Sequence, residues 1–208
     1  RGFALEELPA LESLWVADDN DAAERARGGV FAVAECPLLR SLRVGDGSFR
    51  AFGVFSLRSL PTLETLCIGD GCFQEVARLR VANLPRLRSL CVGEESFQNV
   101  REVALENLPA LEELKLQLHA LQGDEENRLS EFTPTHYKNM LLMRDLPRLS
   151  EMLCEHGVFL FMGSVVVRNV PSLSAKNIVC DDSCLNFFSL HVTNAEGLET
   201  FFTSHSLL

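Results

Sequence analysis

Aromatic rings other than phenylalanine are nearly missing from this chain: it has one Trp and one Tyr against 14 Phe in 208 residues. Phenylalanine carries no polar handle, so the aromatics here read as core filler. Positive charge is also scarce, with 19 Lys and Arg against 29 Asp and Glu and a formal net charge of −10. Such a balance repels phosphates, so neither nucleic acid nor an anionic membrane is an expected partner. One local exception is Arg78, Arg80, Arg86 and Arg88, in a stretch with no acid. No apolar run approaches the length of a membrane span, so no membrane insertion is expected. No signal peptide is visible, in a chain that opens on Arg1 without Met.

Catalytic and metal-binding signatures are missing too. There is no glycine-rich phosphate loop, nucleophile elbow or paired-histidine helix motif. The five histidines are scattered, and Thr135-His136-Tyr137 has no acid or nucleophile partner evident in the sequence. Seven cysteines make an odd count without a CxxC pair, and Cys180 and Cys184 have no second pair at zinc spacing. Catalytic residues, metal ligands and cofactors are therefore all expected to be none, and the chain is not expected to be an enzyme. Most cysteines fall where a small apolar residue is wanted. The reading leans to a reducing intracellular compartment, and a cell-surface setting also fits.

What the chain does have is a period. Pro37, Pro61, Pro85 and Pro109 are 24 residues apart, as are Pro147 and Pro171. A fixed period of this size marks a solenoid, in which each unit is one coil. Within each unit two stretches alternate apolar and polar. The first is Leu42/Val44, Leu66/Ile68 and Leu90/Val92; the second is Phe55/Leu57, Leu79/Val81 and Val103/Leu105. Such pairs predict two short strands per coil, each with one buried face. Proline fits the turn between them because it cannot donate to a ladder. Gly45, Gly69 and Gly93 follow the first strand, where positive φ or close packing is expected. Phe49, Phe73 and Phe97 are expected to stack into a spine. Asn83, Asn107, Asn169 and Asn194, with Ser59 and Asp145 as short polar substitutes, recur at one turn position, where they either bond the next coil's backbone or simply form turns.

These residues resemble a known family. The segment L-x-x-L-x-V-x-x-x-x-F, carried here by Leu87, Leu90, Val92 and Phe97, is similar to the signature of leucine-rich repeats. The family's usual Asn is replaced by Gly47, Gly71 or Glu95. The second strand and the G-x-x-S-F turn are most similar to the BspA-like class of bacterial surface and protist repeat proteins. The resemblance implies an α/β-type repeat solenoid dominated by short parallel β-strands, with leucine-rich-repeat-like coils of 24 residues and little helix. At ~4.8 Å per coil, about seven coils would stack to roughly 35 Å.

A single solenoid domain is expected over residues 1–208, as a piece of a longer array, because the chain opens and closes within recognisable repeat segments and shows no polar cap. Two units are enlarged, by an insert near 18–29 and another near 121–134. Both follow the first strand and so leave the coil on one edge, where insertions often form a binding rim or drift neutrally. Outward positions of the first strand read Trp15, Arg43, Cys67, Cys91 and Lys115, with Ser13, Ser41, Thr65, Ser89 and Glu113 beside them. Trp and Arg are enriched in binding hot spots, and the Trp15 ladder contains no acid. Cys67 and Cys91 would stand side by side as a free pair. Outward residues of the second strand, including Arg58, Arg78, Arg80, Glu102 and Glu106, read as a solvated face. The expected function is a non-catalytic scaffold that binds a protein partner through one sheet face and its insert-bearing edge. The alternative is a structural spacer or adhesin-like surface segment without a tight specific ligand.

Overall fold

Alternation of apolar and polar residues at the two places in each repeat produces a parallel β-solenoid of about seven turns of ~24 residues. The computed structural model describes residues 2–19, 27–130, 136–180, 187, 189–195, 198 and 201. The first strands of the coils are β2 (Ser13–Val16), β4 (Ser41–Val44), β6 (Thr65–Ile68), β8 (Ser89–Val92), β10 (Glu113–Leu116), β12 (Glu151–Cys154) and β14 (Ile178–Val179). They form one unbroken seven-stranded sheet in the order β14-β12-β10-β8-β6-β4-β2. The second strands are β1 (Gly2–Glu6), β3 (Val30–Ala34), β5 (Val54–Arg58), β7 (Arg78–Ala82), β9 (Glu102–Glu106), β11 (Asn139–Arg144), β13 (Met162–Arg168) and β15 (Ser189–Thr193). These divide into a three-stranded block, β1-β3-β5, and a five-stranded block, β15-β13-β11-β9-β7. Helix is nearly absent, with a 3₁₀ turn at Ala175–Asn177 before β14.

Register is set by the period, so equivalent residues stack: Leu42 pairs with Leu66, Leu66 with Leu90 and Leu90 with Leu114. Leu66, Ile68, Leu90 and Val92 are all buried, as the alternation requires. Phenylalanine fills the corner between the sheets. Phe73 stacks on Phe49 and Phe97 with centroids 5.5 and 5.2 Å apart. A second column, Phe3, Phe31 and Phe55, runs beside it from the second strands, with Phe31 and Phe55 parallel within 2°. Phe49, Phe73 and Phe97 all have positive φ, between 53° and 57°. A bulky residue holds that conformation only where its surroundings demand it, and here the demand is the corner turn, since Leu121 at the equivalent position has φ 52° without a ring.

Two devices lock each coil to its neighbour. The Ser or Cys before the corner Phe donates to a carbonyl of the preceding coil: Ser48 Oγ to Ala17, Cys72 Sγ to Gly45 and Ser96 Oγ to Gly69. Cys72 thus does the work of serine, and burial pushes its thiol up to about 11. On the turn after the first strand, the Asp70 N–H donates to Asp46 Oδ1 at 2.9 Å and the Glu94 N–H to Asp70 Oδ1 at 2.8 Å. Gly69 and Gly93 are needed for close approach: a Cβ on Gly69 would lie 2.3 Å from Asp46 Oδ1, and one on Gly93 2.5 Å from the Gly69 carbonyl carbon.

The Asn column works differently from the expectation that amides reach the next backbone. Its side chains bond each other, Asn107 Nδ2 to Asn83 Oδ1 at 2.8 Å and Asn194 Nδ2 to Asn169 Oδ1 at 2.9 Å. Backbone N–H groups of Asn83, Asn107, Asp145 and Asn169, all at positive φ, reach the next coil's carbonyls. Glu106 also departs from expectation. It is 7% exposed rather than solvated, and its carboxylate takes both Arg80 and Arg144.

Candidate functional site

Parallel in-register pairing carries all five sequence-selected residues onto one line. Trp15 faces Arg43, Arg43 faces Cys67, Cys67 faces Cys91 and Cys91 faces Lys115. Alternation turns them outward while Leu14, Leu42, Leu66, Leu90 and Leu114 turn in. Trp15 is 72% exposed, the most open of the large hydrophobic residues described. The ladder continues through Leu153 and Val179, which the sequence reading did not pick out. Val179 is 60% exposed. The repeat is degenerate after Val170, so the alternation that would have identified Val179 is lost there.

The middle of the ladder has its own chemistry. Cys67 and Cys91 are both free thiols, half-buried on adjacent strands. Cα atoms of in-register neighbours lie ~4.8 Å apart. The Cys91 thiol hydrogen-bonds the Cys67 sulfur, and Arg43 and Lys115 add positive charge, so Cys67 is held down at about 6. Cys91 is pushed up, first because its proton serves that hydrogen bond and then by desolvation. A thiolate formed on this pair lies between the two cations. Lys115 Nζ sits 2.6 Å from Glu113 Oε1. The Lys115 ammonium and the Ser89 hydroxyl hold Glu113 below the usual carboxylate range.

Both inserts leave the connection between first and second strand. In the first, Asp19 N–H still reaches the Asp46 carbonyl and Gly28 N–H the Ala51 carbonyl. Residues 20–26 between them lie outside the described residues. The second departs from the coil at Asp124, level with Val100, and returns at Asn139, next to the second sheet. Residues 131–135 of it are likewise outside the described residues. Its base is pinned by Asn139, fully buried, whose amide donates to the Asp124 and Phe161 carbonyls at 2.8 Å each and accepts from Asn127 at 2.6 Å. Arg101 holds the Asp124 carboxylate at 2.7 Å. Tyr137 is buried against Phe161, and desolvation raises its phenol. Thr135 of the Thr135-His136-Tyr137 cluster is outside the described residues.

Among the described residues no group of three or more His, Cys, Asp or Glu could hold a metal ion, and no helix is long and apolar enough to cross a membrane. The fold and the ladder define a parallel β-solenoid with one continuous outward sheet face. No family model matches the chain, and no curated protein or solved structure matches it.

Proposed function

We propose that the chain is a non-catalytic protein-binding scaffold that recognises a partner through the outward face of the seven-stranded sheet and the insert-bearing edge. The observation that carries this reading is the ladder Trp15, Arg43, Cys67, Cys91, Lys115: one line of exposed or half-exposed side chains, with no acid in it, on a protein of net charge −10. An exposed Trp beside an Arg at one end of a rigid sheet is the kind of anchor that dominates interface energetics. A sheet face whose register is fixed by its own core presents that anchor at little ordering cost. The resemblance of the repeat to leucine-rich repeats, and to the BspA-like class most closely, supports a binding role by analogy.

The test begins with a protein partner captured on the immobilised chain. Trp15→Ala and Arg43→Glu are each expected to weaken its binding without moving the urea midpoint. A partner whose affinity survives both changes, and falls instead on mutating Arg58 or Arg80, would place recognition on the opposite sheet. A spacer would yield no partner sensitive to any of these positions.

A further inference from the structure

The second sheet stops and restarts between β5 and β7, while the first sheet runs past the same coils without a break. The stop coincides with a change in core filling. Phe3, Phe31 and Phe55 occupy the first inward position of β1, β3 and β5, and Leu79 and Val103 take it in β7 and β9. The Phe55 ring ends this column: it touches the corner rings Phe73 at 5.0 Å and Phe97 at 5.5 Å, as Phe31 touches Phe49 and Phe73, but no ring follows it in β7.

Two inter-coil columns fail at this seam. Along the turn, Glu35 N–H donates to the Arg58 carbonyl, Asn83 N–H to Glu106, Asn107 N–H to Arg144 and Asp145 N–H to Arg168, each at 3.0–3.1 Å. The step from Ser59 to Ala82 is missing from that series. The amide column fails beside it, because Ser59 is too short to offer Asn83 the acceptor that Asn83 offers Asn107. In a parallel ladder each residue points both backbone groups to one neighbour, alternating along the strand. The Val54 N–H and Arg58 carbonyl face β3. Phe55, Leu57 and Ser59 therefore face the seam. By the same rule Asn83 faces β9, so Arg78, Arg80 and Ala82 face the seam from the other side.

The result is a cleft of about 400 Å³ lined by Phe55, Leu57, Arg58, Ser59, Arg80 and Asn83, among others, with no acid in its wall. It opens at Ser59 and Asn83 into a groove of about 570 Å³ along Pro37, Pro61 and Pro85, with Glu35 at its rim. Arg58 makes no ion pair among the described residues, and Arg80 holds Glu106 through Nε.

We propose that this seam is a docking site for a peptide segment carrying carboxylate side chains, which lies along the mouth of the cleft, bonds the free backbone groups of the facing edges there and sets a carboxylate on Arg58 beside Arg80. Unpaired parallel edges are templates for strand addition. The Arg58 guanidinium, beside an Arg80 whose Nε is already taken by Glu106, selects a carboxylate over a neutral side chain. This site is independent of the ladder on the opposite sheet.

The probe is a fluorescein-labelled heptapeptide of alternating valine and glutamate, read by fluorescence anisotropy against the intact chain. Binding is expected, with the glutamine counterpart weaker by about ten-fold or more, as for loss of a charged hydrogen bond. Arg58→Gln is expected to weaken binding similarly while leaving the urea midpoint in place. Ser59 has φ 52°, which suits asparagine. Ser59→Asn restores the missing column member, so it is expected to raise the midpoint and weaken the peptide together. Trp15→Ala is expected to leave the peptide affinity unchanged. Absence of binding, equal binding of the glutamine peptide, or unchanged affinity in both Arg58→Gln and Ser59→Asn would overturn the proposal.

Discussion

Replacing Leu90 by Ala removes the middle of the inward column Leu14, Leu42, Leu66, Leu90, Leu114, Met152, Ile178. Leu90 is 2% exposed, and its column neighbours Leu66 and Leu114 are 1% and 0% exposed. Loss of three buried carbons costs about 2.4 kcal/mol at ~0.8 kcal/mol per CH₂. The cavity adds about 24 cal/mol for every Å³ that does not close. Closure is restricted here because β8 is laddered on both sides, to β6 and β10, in fixed register. The expected loss is therefore about 3–5 kcal/mol. Leu14 supplies the internal comparison. It holds the same column position but is half-buried, in the edge strand β2 with a single laddered neighbour. Leu14→Ala should cost about 1–2 kcal/mol, since less area returns to water and one side is free to relax. Urea unfolding followed by far-UV circular dichroism is the suitable assay, because the single Trp is solvent-exposed and reports poorly on the core. Equal losses at Leu14 and Leu90 would refute the argument that inter-coil packing on both sides sets the cost. So would a loss below about 1 kcal/mol at Leu90, which lies beneath the range for a buried Leu.

Cys67 should alkylate with iodoacetamide as a thiolate with half-maximal rate near pH 6, because its lowered value keeps the reactive form present down to that pH and loses it below. Cys91→Val removes the hydrogen-bond donor and should move that midpoint upward; a wild-type midpoint in the ordinary thiol range, read by mass mapping, would refute the paired-thiol account. Asn139→Leu leaves the Asp124 and Phe161 carbonyls without their amide donor. At about 1–3 kcal/mol for each of the two buried carbonyls left unsatisfied it should destabilise by roughly 2–6 kcal/mol. It should also expose the second insert to limited proteolysis, and an unchanged cleavage pattern with an unchanged midpoint would show that Asn139 does not anchor it.

How far such features could be read from the sequence depends on whether their cause repeats. The strands were legible because Leu66-x-Ile68 and Leu79-x-Val81 recur in every clean unit, and with each recurrence register and burial follow by parity alone. The outward ladder followed from the same parity, which is why Trp15, Arg43, Cys67, Cys91 and Lys115 fall on one line. The Phe spine was legible for the same reason. Its left-handed backbone was not, because a bulky residue at positive φ runs against local preference and is imposed by the corner turn, as at Leu121. Asn139 was not legible either. It sits where a 14-residue excess interrupts the period, and nothing in the local pattern says that its amide will meet carbonyls from Asp124 and Phe161.

The seam shows the limit most clearly, because both coils that make it conform to the repeat. Val54-Phe55-Ser56-Leu57-Arg58 and Arg78-Leu79-Arg80-Val81-Ala82 each satisfy the alternation that predicts a strand, and each is one. What differs is a step between them: a ring gives way to a smaller side chain at Phe55 and Leu79, and Asn gives way to Ser at position 59. Each substitution is tolerated within its own coil, since Phe55 is still buried and Ser59 still holds the turn at φ 52°. The cost falls on the interface, where a ladder step and an amide bond are both missing. In a fold whose stability is a sum of coil and neighbour terms, a weak neighbour term can persist while the first sheet carries the join. Gly69 N–H still reaches the Val44 carbonyl at 2.8 Å and Glu75 N–H the Arg50 carbonyl at 3.2 Å on the flanks of the gap. The seam is thus held open at one face and closed at the other, a geometry that exists only between repeats and that no single repeat encodes.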